Sequence, residues 1–424
     1  MLVSPSTLVE EVIHTQPPPS GEAVVGGGVR LGDLVLGLNE KGRALPHGVC
    51  PYVGESKNAV TLEKMRMRQN PYPIVGVGGH AAYGGYGFYS SRSWGVLVDR
   101  VVSLEVVTAD GNIRIVSEEY DSDLFWALRG AGGSFGIITA FTFRTEATPQ
   151  NVVVAAYTFN ESATVTAGII SAYQNVTQKS APAEWGSVLN LKRGNQTNFI
   201  NLILDVTFIG SNATYSKIVS GLLAQLPTPI ASSNGVNSTN WIDAAQLLAG
   251  SQNLSTHTAT DYHDTFYAKS VMVPEAQPLS PAAINAFSTY LGQEGYSSDT
   301  AWFVQIELYG GSGSAINNVS RTSTAFVHRD SLFNVQFYAS SSDYSPPYPA
   351  DGIGFVSGMV NSLIDPMGAS WPYEAYQNYI DTELTATQAQ QLYWVGNYPR
   401  LQKIKAKYDP RDIFKLPDYQ GILS

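Results

Sequence analysis

Cysteine is almost absent from this chain. Cys50 is the only one in 424 residues, so no intrachain disulfide and no CxxC metal site can form. Charge is scarce too: 14% of residues are Asp, Glu, Lys or Arg, with 25 basic against 35 acidic side chains and a net charge of -10. That balance excludes a nucleic-acid partner, whose phosphates demand basic patches. No apolar run approaches the roughly 18 to 20 residues of a membrane span. The opening Met1-Leu-Val-Ser-Pro-Ser has neither the basic start nor the apolar core of a signal peptide. Metal-ligand spacing and a Ser-His-Asp grouping are likewise missing.

What is present is glycine, tyrosine and asparagine. A length of 424 residues predicts two or three domains, and 44% hydrophobic with 11% aromatic content predicts well-packed ones. N-x-[ST] sequons stand at Asn160, Asn175, Asn195, Asn212, Asn237, Asn253 and Asn318. One such match means little. Seven in a charge-poor chain point to a secreted glycoprotein.

Up to Pro149 the pattern reads as a compact α+β unit. Residues 22–36 form a strand, a glycine turn and a short helix. Residues 98–117 alternate apolar and polar about Asp110-Gly111, the pattern of a hairpin. Asp123–Leu128 reads as a short helix and Ile137–Phe143 as a strand. From residue 151 long strands (Val152–Phe159, Phe199–Phe208, Thr265–Met272, Ala301–Leu308, Leu332–Tyr338) alternate with helical stretches (Ile218–Leu226, Pro281–Leu291). This predicts an antiparallel sheet covered on one face. Ala389–Tyr408 reads as one amphipathic helix, basic towards its C-terminus as the helix dipole prefers and stopped by Asp409-Pro410.

The densest signal is Val75–Gly87, VGVGGHAAYGGYG, six of whose thirteen residues are glycine. Glycine at that density lets backbone approach a flat ligand and reach positive φ. His80, Tyr83 and Tyr86 supply a polar and aromatic lining. The run is neither a dinucleotide-binding G-x-G-x-x-G nor a phosphate loop. Upstream stands HGVCPYVG. A lone thiol is usually a small buried hydrophobe, but its flanks place Cys50 in a turn beside the glycine run, which favours chemistry.

These blocks, with VVGGGVRLGDL, WGVLVDRV, DLFWALRGAGGSFGI, TAFVHRDSLFNVQFY and NYPRLQKIKAKYDPRDIF, resemble the berberine-bridge-enzyme-like and oligosaccharide-oxidase group of FAD-linked oxidases, of the vanillyl-alcohol-oxidase type. The resemblance implies an α+β fold. It would comprise the second half of a PCMH-type FAD-binding domain over 1–149, an antiparallel-sheet substrate domain with covering helices over 150–375, and a C-terminal berberine-bridge segment, 376–424, packing on the FAD domain. It implies FAD, bound covalently where Cys50 occupies the family's cysteine position. Val53, Gly54, Gly78, Gly79, His80, Gly84, Gly85, Gly87, Gly136, Ile137 and Asn397 would join Cys50 around the cofactor.

Two departures follow from the comparison with that family. The half-domain carrying R-x-G-G-H, the source of the usual histidine linkage, has no counterpart here, and His14 in VIHTQPPP does not match it. The family also runs C-P-x-V-G straight into G-G-H, whereas here residues 55–76 intervene with the basic cluster KMRMR. Gly-Glu-Ser can be encoded by a 5′ splice-site sequence, so the stretch reads as a retained intron; a genuine surface loop is the plainer alternative.

The implied reaction is oxidation of an alcohol, at C1 of a sugar or oligosaccharide, with FAD as hydride acceptor and oxygen giving hydrogen peroxide. Tyr393, in Y-W-V-G-N, would take the hydroxyl proton, and would otherwise be a core tyrosine on an amphipathic helix. Gln336 and Asn334, two apart on one strand and so on one face, would meet substrate, although some relatives carry a lysine where Asn334 stands. His80, Arg129 and the His328-Arg329-Asp330 block read as structural. A secondary-metabolite oxidase or cyclase of the same fold, or a flavin-free remnant, are the alternatives. The expected partners are a small molecule and oxygen, with no nucleic acid or membrane, for a monomeric, secreted protein.

Overall fold

The computed structural model describes residues 13–15, 21–50, 76–227, 232–250, 253–256, 265–415 and 421–423. Val53 and Gly54, and the 55–76 stretch up to Val75, lie outside these, as do residues 1–12.

Two sheets organise the chain. The first is assembled from β1 (Ile13–Thr15), β2 (Glu22–Gly26), β4 (Val101–Val107), β5 (Ile113–Ser117) and β6 (Ile137–Arg144), in the order β1-β2-β6-β4-β5. A small ladder pairs β3 (Arg43–Ala44) with β7 (Glu146–Ala147). The β4–β5 hairpin turns about Asp110-Gly111, where Gly111 takes φ +81° and the Asp110 carboxylate accepts hydrogen bonds from Thr108 and Asn112. Helices Leu31–Asn39 and Ser122–Ala131 bury Leu34, Leu38, Leu124, Phe125 and Leu128 against this sheet.

After β7 the chain moves to a seven-stranded sheet, antiparallel throughout. Its strands are β8 (Val152–Ser162), β9 (Trp185–Arg193), β10 (Phe199–Ile209), β11 (Ser232–Thr239), β12 (Phe266–Pro274), β13 (Ala301–Leu308) and β14 (Ser331–Ser340), ordered β11-β8-β10-β9-β13-β14-β12. Helices Ala163–Ser180, Pro281–Ser297 and Gly352–Ile364 cover one face. Their first turns are set by local chemistry: the Ser162 and Ser280 hydroxyls accept the N–H of Val165 and Ala283, and Pro281 fills a position where no N–H is needed. Alternate residues of the strands, among them Leu189, Leu191, Leu202, Val304, Ile306, Val335 and Phe337, fill the core beneath the helices.

The opposite face is not left to solvent. Near the Glu307 end of β13, Tyr86, Phe88, Tyr89 and Val96 of the glycine-rich region share a third core with Val152, Val188, Met272 and Tyr309. Two buried arginines tie the units together. Arg329 meets Asp99 through two hydrogen bonds of 2.7 Å, and Arg92 donates to the carbonyls of Ala181, Pro182, Gly310 and Ser312.

The C-terminal stretch returns to the first unit, where Ala389, Tyr393, Trp394, Tyr398, Leu401 and Ile404 pack with Leu31, Phe125 and Phe135. It is not the single helix its periodicity predicts. A helical turn, Ala386–Ala389, passes into a π-helical turn, Gln390–Trp394, and a 3₁₀ turn, Val395–Asn397; a regular helix runs only over Tyr398–Tyr408. The break is physical: Val395 sits at φ +46°, and Pro399 has no N–H to continue an upstream ladder but suits the first turn of a new helix. Below it the fully buried Lys405 donates to Ser134 O, Phe414 O and the Asp409 carboxylate, 2.6 Å away. No helix among the described residues is long and apolar enough to cross a membrane.

Candidate functional site

The glycine run sits where backbone meets backbone. Gly84 (φ +115°) and Gly85 (φ +77°) take conformations that side chains rarely adopt. A Cβ on Gly84 would lie 2.6 Å from the Phe326 ring, and one on Gly87 1.7 Å from the His47 carbonyl oxygen. The last contact brings the turn that precedes Cys50 against the glycine run. A hydrogen bond from Gly48 N–H to Nε2 of His80, 3.1 Å, fixes it there. His80 is therefore a neutral acceptor at Nε2, and burial with neighbouring His47 pushes its pKa down to about 3. Burial also lowers His47, to about 4, and its ring bonds the Tyr89 hydroxyl. Cys50, half-buried, follows Gly48 by two residues.

His80 lies with Gly78 and Gly79 on the short helix Val77–Ala82, whose first N–H groups, Val77 and Gly78, donate to Val29 and Gly27 carbonyls. Gly136 immediately precedes β6, which Ile137 opens, and a Cβ on Gly136 would strike the Val107 carbonyl at 2.6 Å.

One tyrosine reaches the glycine turn from the C-terminal stretch. The Tyr376 oxygen accepts N–H groups of Gly85 and Tyr86, 3.1 Å each, and the Asn378 side-chain amide at 2.8 Å. Burial still holds its pKa up, at about 12, with those three donors pulling it back. Tyr86 in turn donates to Leu308 O at 2.6 Å, which seats the glycine run on the end of β13.

Immediately before Leu308 stands Glu307, a buried carboxylate. Asn334 Nδ2 donates to one of its oxygens at 2.6 Å and the Tyr379 hydroxyl to the other at 3.0 Å. Loss of water raises its pKa to about 8, partly offset by those two bonds. Tyr379 is half-buried, and burial and the adjoining carboxylate keep its phenol well above the ordinary range. The Oδ1 of Asn334, fully buried, has no hydrogen-bond partner among the described residues.

From Glu307 the same face of the sheet continues away from the glycine run. Gln336, Gln305 and Asn190 stand directly opposite one another on β14, β13 and β9. Gln305 donates to Asn190 at 2.7 Å, and Asn190 to Asp205 at 2.7 Å; burial raises the pKa of Asp205 to about 6. Two residues further, Phe303, Tyr338 and Phe266 make a stacked aromatic strip, with ring centres 4.6 and 5.0 Å apart. Glu307 and Phe303 lie four residues apart along β13, roughly 13 Å. The arrangement runs from a hydrogen-bonded phenol–carboxylate pair, through a row of amides, to a strip of stacked rings.

The structure thus gathers the Cys50 turn, His80, Gly84, Gly85 and Gly87 with Asn334 and Gln336 around the Glu307 end of the sheet. It holds two of the expected residues elsewhere. Tyr393, 2% exposed, accepts the Asp381 N–H at 3.0 Å within the core of the first unit, and burial raises its pKa. Asn397 donates to the carbonyls of Arg321 and Thr324 and so fastens the loop before β14. Glu307, Tyr376, Asn378, Tyr379 and Gln305 were not singled out from sequence. Their signals were a carboxylate on the alternating strand Ala301–Leu308 and the polar cluster Tyr376-Gln-Asn-Tyr-Ile-Asp381.

These residues fit a flavin on chemical grounds. The half-buried Cys50 lies two residues beyond Gly48, whose N–H bonds the neutral His80 imidazole, on a turn packed against a glycine- and tyrosine-rich run suited to a flat, electrophilic ring. Beside the Tyr379–Glu307 pair lies Asn334 Oδ1, a buried acceptor with no partner among the described residues.

Comparison with known proteins agrees with that fit. The sequence profile described as berberine and berberine like matches residues 375–421. A glucooligosaccharide oxidase of Sarocladium strictum is 35% identical over 397 residues, covering 92% of this chain and 73% of its own. The solved structure of a xylooligosaccharide oxidase from Myceliophthora thermophila in complex with xylobiose superposes with TM-score 0.82 at 30% identity, over 97% of this chain and 80% of that one. A structure of the Acremonium strictum glucooligosaccharide oxidase, whose FAD is described as 6-S-cysteinyl and 8α-N1-histidyl, gives TM-score 0.83 at 32% identity, covering 97% of this chain and 81% of that one.

Proposed function

This chain belongs to the berberine-bridge-enzyme-like family of FAD-linked oxidases that includes the oligosaccharide oxidases, and from that premise we propose that it oxidises the C1 hydroxyl of an oligosaccharide, with oxygen as the final acceptor and hydrogen peroxide as product. It is an FAD-dependent oxidase acting on CH–OH groups. The observation that carries the substrate reading is the half-buried Tyr379 hydroxyl on the Glu307 carboxylate, at the head of a row of amides and stacked rings.

For the proton acceptor the geometry favours Tyr379 over Tyr393. The Tyr393 oxygen is engaged by a backbone N–H inside a core, whereas Tyr379 has a carboxylate partner at 3.0 Å and a half-open ring. A phenol this far above its ordinary range does not ionise in advance. It takes the sugar hydroxyl proton as its own passes to Glu307, which must be ionised to receive it. Bound FAD supplies the hydride acceptor. Cys50, with the turn fixed on His80, would hold it covalently. Asn334 Oδ1 offers an acceptor to a second sugar hydroxyl. Gln336, Gln305 and Asn190 would orient the first ring, and Phe303 and Tyr338 would stack against a further one.

The test is direct. The purified chain should be yellow, and denaturation should leave the colour attached in wild type but release it in Cys50→Ala. Anaerobic mixing with cello-, xylo- or chito-oligosaccharides should bleach it, faster for longer chains than for the monosaccharide. A protein that takes up no FAD, or a yellow protein bleached by aromatic alcohols and indifferent to sugars, overturns the reading.

A further inference from the structure

The seven-stranded sheet has two edges, and they are finished differently. At β12 the strand contains Lys269 and ends at Pro274, and Glu374 closes its outer side by exchanging backbone hydrogen bonds with Met272, 2.7 and 3.2 Å. At the other end β11 pairs with β8 on one side, and among the described residues no strand pairs with the other. Its sequence, Ser232–Thr239, SSNGVNST, contains no charge and no proline. Val236 is 43% exposed there. Sheet edges normally carry lysine, proline, a bulge or a cover, because a row of open N–H and C=O groups templates pairing with another chain. Among the described residues a register shift between Ser233 and Val236 is the device of that kind on β11, and the Val236–Thr239 half beyond it is regular.

Asn237 lies in that regular half, is exposed, and begins the sequon Asn237-Ser238-Thr239. The other six sequons fall on helices, turns or strand ends of the same unit, and none falls in the glycine-rich unit. We propose that Asn237 carries an N-linked oligosaccharide and that this sugar is what blocks pairing at the β11 edge. In that modification the Asn237 amide nitrogen bonds the anomeric carbon of a lipid-diphosphate-linked oligosaccharide, the lipid diphosphate leaves, and the amide gives up one proton. A hydrated oligosaccharide rooted on the strand keeps a second β11 from approaching along the open edge.

The test uses the full chain secreted from a eukaryotic host. Enzymatic deglycosylation in ¹⁸O water with peptide mass mapping should mark Asn237 as modified. Asn237→Gln should show a several-fold larger dimer and aggregate fraction by light scattering at equal concentration, with unchanged activity per folded monomer. Asn237→Lys lacks the sugar but supplies an edge charge, and should return the wild-type monomer fraction. An unmodified Asn237 overturns the site. An Asn237→Gln protein as monomeric as wild type, or an Asn237→Lys protein that associates like Asn237→Gln, overturns its role at the edge.

Discussion

The two faces of the seven-stranded sheet are built from the same strands and do opposite things. On β13, Trp302, Val304, Ile306 and Leu308 face the helices and are buried in apolar contact; Phe303, Gln305 and Glu307, one step out of phase, form the candidate site. β14 divides in the same way, with Val335 and Phe337 behind and Asn334, Gln336 and Tyr338 in front. A period of two turns one backbone into both core and binding surface. The helical face tolerates no gap, which is what gives the other face fixed positions for side chains that must hydrogen-bond.

That contrast can be broken from either side. Tyr379→Phe removes the proposed proton acceptor and keeps the ring, so turnover should fall about 10²- to 10⁴-fold while stability falls by only the one lost hydrogen bond, about 0.5–1.5 kcal/mol; stopped-flow reduction checks it, and near-normal reduction would return the role to Tyr393. Ile306→Ala, one residue from Glu307 but on the other face, should do the reverse. It should cost about 2–5 kcal/mol of stability in denaturant melts while leaving the folded fraction active.

Glu307 provides a pH test on both properties. Its folded pKa of about 8 lies above the ordinary carboxylate value of 4.5, so between those values the folded chain retains a proton that the unfolded chain has released. Stability from this group is fully present below about pH 4.5 and is lost as pH rises to about 8. The rate of sugar oxidation should rise as pH passes through about 8, where Glu307 of the folded chain ionises. Glu307→Gln should flatten both dependences. Gln305→Ala should raise KM for oligosaccharides more than it lowers kcat, with stability within about 0.5 kcal/mol. The smallest effect belongs to Tyr393→Phe, which loses one buried hydrogen bond of about 0.5–1.5 kcal/mol and should leave kcat within a few-fold of wild type.

Local signals carried much of the fold. The Asp110-Gly111 turn, the alternation in Ala301–Leu308 and the glycine run all have causes confined to a few neighbouring residues. The candidate site was legible only in part. Gln336 and Asn334 could be placed on one face from their spacing, and the Cys50 turn could be joined to the glycine run by resemblance. Glu307 could not, because nothing around it in the chain distinguishes it from a solvated strand carboxylate. The choice between Tyr393 and Tyr379 was equally closed to sequence. Both stand near an asparagine in the same C-terminal stretch, and in the fold Tyr393 lies on the π-helical turn Gln390–Trp394 with its oxygen held by the Asp381 N–H.

The sequence by itself determined the family, the glycine-rich approach surface, the lone thiol and the phase of each strand, since these depend on residue type and short spacing. Tertiary structure alone decided the strand order that sets Gln305 between Asn190 and Gln336, the burial that lifts the Glu307 pKa, and the return of Tyr376 to the glycine turn and of Tyr379 to Glu307. The reason is that a carboxylate's proton affinity and a phenol's partner are set by what surrounds them in space, and those surroundings come from segments far apart along the chain.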